Sequence, residues 1–137
     1  MTVRLAAALL AMITLAACGG DGVVSEPPVA GGPTLSSLQA SIFTPNCAVS
    51  GCHLNPGAEQ GMDLSAGKFY ANTVGVESNE QPAYKRVAPG NAADSYLYMK
   101  VAADPRITGA QMPFGGMLTA AEVEAIRQWI DDGALNN

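Results

Sequence analysis

The sequence predicts an all-α domain with few helices and long loops, and three observations predict it. Thr119-Ala-Ala-Glu122 is a capping box that opens an apolar stripe at helical spacing. Thr34 opens a second such stripe near the other end. Between residues 54 and 92, frequent Gly, Pro and Asn leave room for turns and short helical pieces only.

Taken in order, residues 1–17 carry one cation, Arg4, and an apolar run from Leu5 to Leu15 that is short for a bilayer crossing. They read as an export signal. The run ends in Leu15-Ala16-Ala17-Cys18, which resembles the bacterial lipobox. That resemblance implies cleavage before Cys18 and lipidation of its thiol, placing the protein at the cell envelope, anchored by lipid and facing the periplasm or the exterior. Residues 18–33 are dominated by glycine and proline and read as a tether with a mean reach of ~20 Å. The folded domain is expected over residues 34–137.

Loss of residues 1–17 removes Arg4 and no acid, leaving 6 Lys/Arg against 12 Asp/Glu, a formal charge of −6. Such a chain has no electrostatic footprint for nucleic acid, nor for adhesion to anionic lipid by charge. Acyl chains on Cys18 would hold it at a membrane without either.

Within the domain, Thr34 caps a helix in which Leu35, Leu38 and Ile42 share one face beside Phe43, with Pro45 expected to end it. A shorter helix is expected near residues 93–102, with Asp94 or Ser95 as its cap. The last helix carries Val123, Ile126 and Ile130 with Trp129 beside them, and Gly133 marks its end. Eight aromatic residues in 137 make a thin core for loops of this length. A large, flat, apolar cofactor would fill it.

"NCAVSGCHLN", residues 46–55, holds Cys47, Cys52 and the only histidine, His53. A histidine directly after the second of two nearby cysteines is the arrangement of c-type haem attachment, here with four intervening residues instead of two. Two thiols reach two vinyl groups on one porphyrin edge while the imidazole projects towards the iron. A zinc site lacks a fourth soft ligand. A Cys47–Cys52 disulfide in an exported protein is the plain alternative.

Downstream stand "GMDLSAG" (61–67), "RVAPGNAADSYLYMKV" (86–101), "QMPFGG" (111–116) and "LTAAEVEAIRQWIDDGA" (118–134). With the cysteine motif these resemble the monohaem cytochrome c domains of bacterial exported proteins, across nearly all of residues 34–137. The resemblance implies a small cytochrome c-like fold wrapped around a covalent haem c, with Cys47 and Cys52 as thioether positions and His53 as proximal ligand. It implies Met112 as distal iron ligand, with Met117 as the rival. The wider cysteine spacing departs from the commonest family pattern and bears chiefly on the register of Cys47.

With one histidine, bis-histidine ligation within the chain is impossible, so the sixth ligand is Met, Lys, water or none. Met99 is expected in the core, and Met62 lies close in sequence to His53. Met117 is expected to pack beneath the last helix, and Pro56 is a candidate to offer its carbonyl to the imidazole, an ordinary turn proline being the default. Lys85 or Arg86 is a candidate partner for a haem propionate, a solvated charge being the default for both.

The expected function is single-electron transfer with no bond of a substrate made or broken, so the protein is not expected to be an enzyme. Its partner would be a redox protein, such as a dehydrogenase or another cytochrome. The alternatives are a haem-based sensor with an open distal site and a haem-free, disulfide-closed binding lipoprotein.

Overall fold

The computed structural model describes residues 31–137. Cys18 and the signal and most of the tether lie outside the described residues. Thr34 forms a capping box with Ser37 and starts α1 (Leu35–Leu38). The helical path then widens into a π turn, Gln39–Phe43, and closes with α2 (Thr44–Asn46). Pro45 therefore does not end the helix where expected. It sits in the first turn of α2, directly after the π turn, where the helical bonding pattern is already reset and a missing N–H costs little.

α3 (Phe69–Thr73), α4 (Tyr96–Val101) and α5 (Ala120–Asp131) complete the α-helices. Single 3₁₀ turns lie at Glu59–Gly61 and Ala92–Asp94. Among the described residues there are no strands, and the domain is all-α. Three isolated bridges, Val74 to Val87, Glu77 to Lys85 and Lys85 to Ser95, tie the long middle segment together.

The expected helix near residues 93–102 is present in shortened form. Ser95 occupies the cap of α4, but its hydroxyl accepts from the Ala88 N–H at 2.8 Å and donates to the Asn91 carbonyl at 2.8 Å. The serine thus fastens the preceding loop instead of the helix end.

α5 follows its sequence closely. Thr119 and Glu122 make the reciprocal capping box, and Leu118 and Val123 occupy the two positions of a hydrophobic staple. At the far end Gly133 takes φ +104°, with the Ala134 N–H on the Trp129 carbonyl at 2.9 Å and the Gly133 N–H on the Ile130 carbonyl at 3.0 Å. That pair of bonds is a Schellman close, which needs a left-handed residue at Gly133.

The core joins three elements through aromatic rings. Phe43 stacks on Phe69 with centroids 4.2 Å apart, and Phe69 meets Trp129 edge-on at 6.0 Å. Leu38, Ile42, Ile126 and Ile130 are fully buried around them. α5 packs against both α1 and α4, so the last helix is the central strut of the domain.

Candidate functional site

The cysteine loop begins where α2 ends. The N–H groups of Cys47 and Ala48 both bond to the Phe43 carbonyl, at 3.0 and 2.7 Å, so the chain leaves the helix with Cys47 lying on the core. Within the loop, the Cys52 N–H bonds to the Val49 carbonyl at 3.0 Å and the His53 N–H to the Cys47 carbonyl at 3.2 Å. The two extra residues of the motif are therefore absorbed in a turn, with Val49 and Gly51 at the surface.

Both thiols are unpaired and half-buried. Burial, with a smaller contribution from the neighbouring Cys52, pushes the Cys47 thiol up from 9.0 to about 11. The two sulfurs are not joined.

His53 is half-buried, and its Nδ1 lies 3.2 Å from the Met62 carbonyl. A carbonyl only accepts, so Nδ1 carries the proton and Nε2 keeps its lone pair. Burial lowers the imidazole below its ordinary pKa, against the opposing pull of the Met62 and Glu59 carbonyls, which favours the neutral ring. The sequence offers Pro56 as a candidate for this carbonyl. The partner is Met62, because the chain turns back through Glu59–Gly61 and brings its main chain to the Nδ1 edge of the ring.

The return strand of that loop is pinned at several points. The Glu59 N–H bonds to the Cys52 carbonyl at 2.8 Å, and the Leu64 N–H to the His53 carbonyl at 2.8 Å. Asp63 accepts from the Ser65 N–H at 3.0 Å, the Ser65 hydroxyl at 2.7 Å and Asn55 Nδ2 at 2.7 Å. These bonds hold its carboxyl below the usual carboxylate range, the Ser65 hydroxyl foremost. Gln39 Nε2 reaches from the π turn to the Leu64 carbonyl at 2.9 Å and so anchors the loop to the first helical run.

Met112 lies half-buried against the same hydrophobic core as Cys47, and its N–H bonds to the Lys100 carbonyl at 2.9 Å. Met99 is fully buried, as expected of a core residue. Met117 differs from expectation: it is 78% exposed, and Phe114 on the same loop is 79% exposed. Leu118 takes the inward position at the start of α5, while residues 114–117 all stand exposed. The loop borders an open cavity of about 590 Å³ lined by Gln111, Pro113, Phe114 and Met117.

Arg86, which sequence alone would leave in solvent, is only 7% exposed. Its Nη1 donates to the Asn72 carbonyl and its Nη2 to the Gln60 carbonyl, each at 2.8 Å. Among the described residues no carboxylate pairs with it, and its charge is felt at His53. Burial lowers its pKa from the ordinary arginine value. Lys85, by contrast, is exposed and pairs with Glu77 at 3.3 Å.

The donor set is compatible in its chemistry with a covalently attached haem: two unpaired thiols, an imidazole whose Nδ1 is taken by a carbonyl, a thioether on the core and a buried guanidinium with no carboxylate partner among the described residues. Among the described residues no group of three or more His, Cys, Asp or Glu side chains could hold a bare metal ion. No family model matches the chain, and no curated protein or solved structure matches it either.

Proposed function

We propose that this protein is a membrane-tethered c-type cytochrome, with a small cytochrome c-like fold, that carries single electrons through a His/Met-ligated haem. One observation carries the reading. Cys47 and Cys52, both unpaired, stand immediately before a histidine whose Nδ1 is committed to the Met62 carbonyl, so that its other nitrogen is the lone-pair donor.

Each thiol would add across one vinyl double bond, sulfur joining the inner carbon and the thiol hydrogen the outer, with no leaving group and no net oxidation. His53 would supply the proximal nitrogen and Met112 the distal sulfur, a soft donor that favours ferrous iron. The bound haem would supply the chemistry of one-electron exchange at iron. Arg86 offers a buried cation suited to a propionate, and its two carbonyl bonds fix the guanidinium before any anion arrives. Phe114 and Met117 offer apolar surface on the loop that holds Met112.

The chain is proposed as a carrier of electrons and not as an enzyme. The acidic domain suits a redox partner with a basic face, and its electron-transfer rate should fall as salt rises. A reversible one-electron titration of the purified protein, together with slow carbon monoxide binding to its reduced form, tests the reading. Rapid carbon monoxide binding would instead favour an open-site sensor.

A further inference from the structure

We propose that Lys100 is the residue that positions Met112, an inference that rests on the haem reading and adds a part to it. Lys100 lies in the last turn of α4, where a cation ordinarily stays in solvent near the helix C-terminus. Here its side chain is only 10% exposed.

Both ends of this residue hold the loop between α4 and Met112. Its main-chain carbonyl accepts from the Met112 N–H at 2.9 Å. Its ammonium donates to the Thr108 carbonyl at 2.8 Å, stands 2.9 Å from Glu80 Oε2 and lies 5.6 Å from the centre of the Tyr96 ring. Thr108 is held from two further sides: its N–H donates to the Tyr96 hydroxyl at 2.9 Å, and its Oγ1 accepts from Gln81 Nε2 at 2.8 Å.

A buried ammonium is costly unless it is paired and hydrogen-bonded, so losing either partner penalises the arrangement. Opening the loop by moving Thr108 would strip the ammonium of a partner. The ion pair therefore restrains the segment whose far end presents the thioether. The same contacts commit the Lys100 amine to Glu80 and Thr108 and withhold it from iron.

Lys100→Met keeps the backbone carbonyl and the aliphatic stem while removing the charge. Glu80→Gln keeps the partner's shape and removes its charge. Both belong in the full-length, haem-loaded protein, with Ile130→Val in α5 as a core-destabilised control. The readouts are the affinity of the ferric form for imidazole and hydrogen exchange at the Met112 amide.

The inference predicts a roughly tenfold gain in imidazole affinity for both charge variants, because the population with Met112 off the iron rises by that factor. Met112 exchange should quicken in parallel, and the control should change neither. Imidazole affinity within about twofold of the parent in both variants, or an equal gain in Ile130→Val, overturns the role of Lys100. A purified protein without covalent haem overturns the haem reading itself and this inference with it, so the two failures are distinguishable.

Discussion

At the scale of single residues, Met112 and Met117 are the pair to separate. Met112 packs on the core and is held by a main-chain bond, while Met117 is 78% exposed and no bond of this kind fixes it. Met112→Ala should therefore remove the far-red absorption of ferric iron bound to methionine sulfur and lower the potential, whereas Met117→Ala should change stability by less than about 0.5 kcal/mol. Spectra and thermal melts of the two variants check this, and loss of the band in the Met117 variant alone would transfer the ligand role. Cys47 gives a second expectation, in protein produced without haem. Its folded pKa is about 11 against 9.0 in the open chain, so the folded state holds the thiol proton more firmly. The stability this brings is present below pH 9.0 and is lost as pH rises through about 11. Iodoacetamide should label Cys47 slowly at about pH 8 and much faster near the upper value, and fast labelling at the lower pH would show the thiol to be unburied.

Which of these residues could be read in advance follows from how far each depends on the rest of the chain. The adjacency of Cys52 and His53 is covalent, so it was legible without a fold. The Met62 carbonyl at the Nδ1 edge of His53 was not, because it arrives only when the chain reverses at Glu59–Gly61. The burial of Arg86 is hidden from the sequence for the same reason: it depends on the carbonyls of Asn72 and Gln60, 14 and 26 residues away. Loop positions such as Met117 have no periodicity to say which way they face.

At the scale of elements, α5 was legible from end to end because its cap, stripe and stop are all local signals that agree. Thr119→Ala should accordingly cost about 1 kcal/mol, lowering Tm by about 4–8 °C in a domain of this size. The measurement is a thermal melt, and an unchanged Tm would mean that the Glu122 carboxylate caps the helix unaided. The first helical run was less legible. Pro45 is a stop signal when the helix ahead of it is regular, but the π turn Gln39–Phe43 resets the pattern before the proline is reached. Ser95 holds the cap position of α4 and spends its hydroxyl on the loop behind it, a choice made by tertiary contacts.

At the scale of the whole molecule, the long loops between α2 and α5 are organised by polar bonds around a core of three aromatic rings. Cys47 and Met112 reach that core from opposite parts of the chain. The proposed tether precedes this domain, and Cys18→Ser should release or mislocalise the protein while leaving its haem spectrum intact, as membrane fractionation would reveal. Unaltered fractionation and the absence of acyl mass would remove the lipid anchor from the account. The central claim is covalent haem on Cys47 and Cys52. Its most direct measurement is the intact mass of the acid-denatured, acetone-extracted protein from a host able to attach haem, read beside a haem-stained denaturing gel. The polypeptide is expected to keep one haem mass and to stain; a colourless polypeptide at its haem-free mass would contradict covalent attachment.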